Sequence, residues 1–256
     1  MRIKESVSKG FGVAKKSLGL VLVLFAFGFV FNLINLFLAP PTGPDVTQTP
    51  PPALVAVMVV FIFLSIFFQA GSMVYVRDLI KAGTANFGNF TSGGGKYYVR
   101  MLLLGIVVSL IVGVLVLLAA LVAAFLQNQP VVSVPLMILC AAFGIYFAVL
   151  LFLSPYAVVV DEKGVGASIK LSMKLVKKNI LSLLGISALM ILIGFGIGLI
   201  LGGIFAGLSF LIKAEMASQI IFAFLSSLVN SFLGVFVTGA FMNFYLSLDR
   251  NNNIQA

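Results

Sequence analysis

Residues 101–126 read MLLLGIVVSLIVGVLVLLAALVAAFL, an apolar run without one charged side chain. A helix of about 20 such residues crosses the ~30 Å hydrocarbon core of a bilayer and satisfies its own backbone hydrogen bonds there. The run lacks the strict apolar–polar alternation of a transmembrane strand, which argues against a membrane barrel. Five more runs have the same character: Leu18–Leu38, Ala53–Ala70, Val131–Tyr156, Ile180–Ile212 and Ile220–Leu248. The expected fold is all-α, a polytopic membrane bundle of six transmembrane helices arranged as three hairpins. Of the 256 residues, 61% are hydrophobic and 9% charged, against about 25% charged in soluble domains. One membrane domain, residues 1–256, is expected to account for the chain.

Charge orients the spans. Arg2, Lys4, Lys9, Lys15 and Lys16 precede the first run, and Arg77, Lys81, Lys96 and Arg100 follow the second. Lys163, Lys170, Lys174, Lys177 and Lys178 follow the fourth, whereas the opposite loops hold only Lys213. Basic loops stay on the cytoplasmic side, so both termini are expected there, in a cytoplasmic (inner) membrane. The first run is long and is followed by Ala39-Pro40-Pro41, a poor cleavage context, so it reads as a retained anchor rather than a signal peptide. The net charge of +9 then lies against anionic lipid headgroups. Without a soluble module to carry it, nucleic-acid binding is not expected. Cys140 is the single cysteine, inside the fourth run, and forms no internal disulfide.

The basic segments resemble one another. Ser6–Leu18, SVSKGFGVAKKSL, aligns without gaps on Ser168–Ile180, SIKLSMKLVKKNI. In the second copy Val165, Ile169, Met173, Val176 and Ile180 form one apolar stripe, and the lysines fall largely elsewhere. That pattern predicts an amphipathic helix in the membrane interface. A looser third copy contains Phe87, Phe90, Lys96 and Arg100, and its Gly93-Gly94-Gly95 predicts a loop or break. Three hairpin units result: 1–82, 83–164 and 165–249. Duplication, or the shared demands of membrane entry, accounts for the likeness. Residues 39–52 read as a proline-stiffened outer connector, 127–130 as a tight turn, and 250–256 as a frayed tail.

Chemistry is sparse. The chain has no His, the commonest general base and a frequent metal ligand. Its acidic residues are Glu5, Asp45, Asp78, Asp161, Glu162, Glu215 and Asp249, none deep within a run. Asp161-Glu162 fits a helix cap better than a catalytic pair. No enzyme, cofactor or metal site is expected, and charge-free span centres argue against proton coupling.

Neutral polar residues remain. Ser227, Asn230, Ser231, Gly234 and Thr238 share one face of the sixth helix, and Asn32 and Asn35 share one face of the first. Ser65 and Gln69 lie in the second, and Tyr146 and Ser154-Pro155 in the fourth, the proline marking a kink. Such residues line a polar cavity or headgroup path, or they hydrogen-bond between helices. In the fifth run Gly194, Gly198 and Gly202 form a ridge suited to close packing within the bundle or between protomers. That run is about 50 Å long as one helix, so a kink or an interfacial extension through 209–217 is expected.

Val160-Asp161, continued as EKGVGASIKLS to Ser172 and then Lys177-Lys178-Asn179 before a glycine-rich span, resembles one family. It is similar to the membrane domain of glycerophosphodiester phosphodiesterases and to related six-pass prokaryotic proteins. The resemblance implies a multi-pass bundle with interfacial helices. In those phosphodiesterases hydrolysis belongs to a separate barrel, so no catalytic residue is carried over.

The leading expectation is a non-enzymatic integral membrane protein that interacts with membrane lipids, with a partner membrane protein or with a second copy of itself in a homodimer. Lys15, Lys16, Lys96, Arg100, Lys174, Lys177 and Lys178 would meet headgroup phosphates, and Gly194, Gly198 and Gly202 would serve packing. The alternative is a transporter or lipid-translocating protein for an apolar or amphipathic molecule. It would use a polar cavity of Asn32, Asn35, Ser227, Asn230, Ser231 and Thr238.

Overall fold

The computed structural model describes residues 2–38, 51–126, 129–212 and 215–253, and among these every regular element is a helix. In chain order they are α1 (Arg2–Lys16), α2 (Leu18–Leu38), α3 (Pro52–Ala82), α4 (Phe87–Phe125), α5 (Pro130–Leu151), α6 (Ser154–Val160), α7 (Val165–Leu211) and α8 (Glu215–Asn253). Six helical stretches are long and apolar enough to span a bilayer: Leu18–Leu38, Pro52–Ala82, Phe87–Phe125, Val131–Val160, Val165–Leu208 and Met216–Leu248. Large apolar side chains cover their outer surfaces; Leu181, Phe210 and Val131 are each more than four-fifths exposed. An apolar surface this continuous is stable only against lipid. The chain is a six-span helical membrane protein.

Two compact units make up the chain, Met1–Gly94 with Leu181–Ala256, and Gly95–Ile180. In the first, α8 is the central helix, touched by α1, α2 and α3. Phe27 stacks on Phe61 and Phe68 to join α2 to α3, and Phe25 and Phe29 meet the edge of Phe224 to join α2 to α8. Phe205 meets Phe222, joining α7 to α8. Within the second unit, α5 stops at Leu151 and α6 starts at Ser154, with Pro155 in its first turn. A proline inside one continuous helix would lose a hydrogen bond and clash with the carbonyl four residues earlier. The kink expected at Ser154-Pro155 is therefore an actual break.

Four aligned positions of the three basic segments share their burial. Gly10, Phe90 and Ser172 are buried, as are Val13, Gly93 and Leu175, and Ala14, Gly94 and Val176; Lys16, Lys96 and Lys178 are exposed. Each segment lies on the end of a helix returning to the basic side. Gly10 meets the α8 backbone at Ala240, Phe90 meets the α3 backbone at Gly71, and the Ser172 hydroxyl donates to the α5 carbonyl of Leu150 at 2.7 Å.

Two expectations about these segments need correction. The break expected at Gly93-Gly94-Gly95 is absent, because α4 runs unbroken through it. A Cβ on Gly93 would lie 2.6 Å from Val74, and one on Gly94 2.7 Å from Phe67, so helix packing there demands glycine and offsets its poor propensity. The chain instead turns at Gly83, whose positive φ of 77° ends α3 with its N–H on Leu79 O. The second correction concerns the face of α7. Ser168, Ser172, Leu175 and Val176 are buried, whereas Val165, Ile169, Met173 and Ile180 are only half-buried. Small serines let the backbones approach, so the contact face is rotated away from the apolar stripe. The length of α7 is broken at Asn179 (φ −130°, ψ 27°), directly after Lys177-Lys178, and Asn179 Nδ2 donates to Leu175 O at 3.0 Å. The first copy breaks at the equivalent place, where Ser17 separates α1 from α2.

Candidate functional site

Two sets of residues carry chemistry, the cations of the basic segments, which form a basic rim on each unit, and a neutral polar seam. On the rim, Lys15 and Lys16 are exposed at the end of α1, and Lys15 lies 4.7 Å above the Phe11 ring. Glu5, one turn from Lys9, accepts a 2.6 Å hydrogen bond from its ammonium, which holds the Glu5 carboxyl below its ordinary range. On α7, Lys174, Lys177 and Lys178 are exposed.

Lys96 and Arg100 share one partner residue. Lys96 Nζ and the Tyr97 hydroxyl both donate to Glu162 Oε1, at 2.8 and 2.7 Å, and Arg100 Nη1 donates to the Glu162 carbonyl at 2.8 Å. These two cations are engaged within the protein, which leaves them less available to phosphates than their loop position implied. Glu162 has φ 54°, and a left-handed backbone costs a non-glycine residue about 1–2 kcal/mol. The three hydrogen bonds offset that strain. Glu162 is the residue sequence reasoning missed: it read as part of a helix cap, and nothing local signals its distant partners.

The polar seam forms where α2 meets α8. Asn32 Nδ2 donates to Ser227 Oγ at 2.8 Å, Ser227 donates to Ala223 O, and Ser231 donates to Ser227 O. An interhelical hydrogen bond of this kind contributes about 0.6 kcal/mol in a bilayer. Asn35 donates to its own helix at Phe31 O. Asn230 is exposed and lines neither cavity described below.

A cavity lies on either side of the bridge along the seam. The one farther from the basic rim, about 350 Å³, is lined by Asn32, Asn35, Gln219 and Ser226 among apolar neighbours. The one nearer the rim, about 220 Å³, lies between α2, α3 and α8 and takes in Ser65, Gln69, Ser72 and Thr238 with Phe27 and Phe68. Ser72 is 7% exposed and its hydroxyl has no hydrogen-bond partner. An orphaned buried hydroxyl costs about 1–3 kcal/mol. The polar face expected on α8 is thus divided: Ser227 and Ser231 bond within the seam, and Thr238 belongs to the nearer cavity. Ser72 escaped sequence reading because it follows the expected end of the second span at Ala70.

Among the described residues, the glycine ridge makes no close contact. A Cβ on Gly194, Gly198 or Gly202 would meet nothing within 4 Å. Among the described residues, no three His, Cys, Asp or Glu side chains gather as metal ligands.

A family model described as a domain of unknown function, DUF7847, matches residues 1–248, all six spans and the basic segments included. The chain belongs to this family. No curated protein and no solved structure matches it. Membership therefore extends to the whole membrane domain and brings no assigned activity to the rim or the seam.

Proposed function

We propose that the protein is a non-enzymatic membrane module whose basic rim binds the headgroups of anionic lipids, with both termini on the cytoplasmic face of the cell membrane. One observation carries this reading. Ser6, Gly10, Val13 and Ala14 are buried as are their counterparts Ser168, Ser172, Leu175 and Val176, and the Lys15-Lys16 and Lys177-Lys178 pairs stand exposed where the chain turns into a span. Cations held at that level meet the phosphate layer, each contributing about 1 kcal/mol next to anionic lipid.

The test is native mass spectrometry of the full chain released from nanodiscs of equal dioleoylphosphatidylglycerol and dioleoylphosphatidylcholine. Lys177→Glu with Lys178→Glu is expected to reduce retained phosphatidylglycerol by about tenfold or more, from about 1 kcal/mol per lysine. Unchanged retention overturns the proposal.

A second reading, translocation of an amphipathic molecule, is favoured by the seam itself: two cavities on the α2–α8 line with the Asn32–Ser227 bond between them. Cross-linking α2 to α8 across that bond would abolish lipid scrambling in reconstituted vesicles if the seam were a path.

A further inference from the structure

The cavity between α2, α3 and α8 has features that packing alone does not explain. Serines within membrane helices ordinarily bond a carbonyl three or four residues back, as Ser65 does to Ile62 O at 2.7 Å and Ser231 to Ser227 O. Ser72, more than nine-tenths buried and lining the cavity, bonds nothing. Ser17, Ser154 and Ser168 are also buried without partners, but only Ser72 lines one of the two cavities. Beside it Gln69 is exposed on the bundle surface, bringing two donors and an acceptor to a depth where lipid offers little to bond.

Depth and chemistry narrow the occupant. Along α3, Gln69 lies about 12 Å and Ser72 about 7.5 Å before Arg77, counted at 1.5 Å per residue. Bilayer headgroup layers are about 5–8 Å thick, so these side chains reach from the base of the polar layer into the top of the hydrocarbon. No lining residue is ionisable, and an unpaired ion is excluded from such a site by its desolvation cost. At about 220 Å³ the cavity is smaller than the ~300–1,000 Å³ of a drug-sized pocket, so it holds a small head while the rest of the ligand stays in the bilayer. Phe27 and Phe68, stacked 4.3 Å apart, supply an apolar wall for the start of an acyl chain.

We infer that this cavity binds the uncharged, hydroxyl-bearing head of a neutral glycerolipid, with Ser72, Gln69 and Thr238 as its hydrogen-bonding groups. The inference is independent of the basic rim, because the ligand has no charge for the lysines to attract.

The test uses the full chain in nanodiscs doped with dioleoylglycerol, released for native mass spectrometry. Wild type is expected to retain one dioleoylglycerol per chain. Thr238→Val, which keeps the side-chain shape, is expected to lower retention about threefold by removing one hydrogen bond. Gly234→Leu places a side chain in the cavity from a position where an added Cβ meets nothing within 4 Å, and is expected to abolish retention. The Lys177→Glu, Lys178→Glu protein is expected to retain dioleoylglycerol as wild type does, so the rim and cavity proposals fail separately. Failure of wild type to retain dioleoylglycerol, or equal retention by wild type and Gly234→Leu, overturns the inference.

Discussion

Gly10→Ala, a change of one methyl group, is predicted to loosen the amino-terminal helix from the bundle. An ideal Cβ at Gly10 lies 2.6 Å from Ala240 N and 2.8 Å from Ala240 Cα and Cβ. Ordinary contact begins at 3.4 Å, so α1 must retreat by about 0.8 Å from a backbone that cannot yield. Gly239 faces the same contact, its missing Cβ 3.1 Å from Val13 and 3.3 Å from Gly10 Cα, so neither helix has slack. Overpacking of this kind costs about 1–3 kcal/mol, and three backbone-linked clashes place it at the upper end. Helix propensity returns about 1 kcal/mol, leaving a net loss near 2 kcal/mol. Gly12→Ala is the internal control. It lies two residues away on the same helix, meets nothing within 4 Å, and should gain up to about 1 kcal/mol. The assay is the rate of tryptic cleavage at Lys4, Lys9, Lys15 and Lys16 in nanodiscs, which follows the population with α1 undocked. Cleavage is expected to rise about thirtyfold in Gly10→Ala and to fall in Gly12→Ala. Equal rates in the two variants would refute the assignment of Gly10 as the close contact.

Three further outcomes are expected. A double-mutant cycle of Asn32→Leu and Ser227→Ala, read by unfolding in mixed micelles, should give a coupling of about 0.6 kcal/mol; zero coupling means that the 2.8 Å bond is not formed in the bilayer. Glu162→Gln leaves an acceptor for Tyr97 and removes the charge facing Lys96. Both side chains of that ion pair are 53% exposed, so the loss should be small and fade with added salt, and a loss that salt does not alter would show a shielded pair. Gly198→Ala, with open space around the added methyl, should leave the stability of a dilute monomer unchanged or raised by up to about 1 kcal/mol. A fall in stability that appears only as protein concentration rises would place the ridge between protomers.

Much of the topology was legible in residue order. Six helices arise because each apolar run is long enough to cross the bilayer and because lipid leaves the backbone no partner but itself. Pro155 marked the α5–α6 break, and Lys177-Lys178-Asn179 lay next to the bend in α7. These are local statements, resting on the chemistry of a few consecutive residues. The helix through Gly93-Gly94-Gly95 is not local. Propensity argues against it, and Val74 pressing on Gly93 and Phe67 on Gly94 account for those two glycines, whereas a Cβ on Gly95 would meet nothing within 4 Å.

Facing was the other thing residue order withheld. In water, the polar side of a helix shows which side is turned inward; in lipid the outward side is apolar too, and that contrast disappears. Gly194, Gly198 and Gly202 therefore look as well suited to packing as Gly10, Gly71 and Gly239, yet only the second group has a backbone or side chain against it. Ser72 reads like any helical serine until α2, α3 and α8 enclose a cavity beside it. Sequence alone determined that the chain enters the membrane and how often it crosses, because transfer into lipid depends on each residue's own chemistry. Tertiary structure decided which faces touch and which polar groups stay unpaired, because those depend on pairs of residues far apart in the chain.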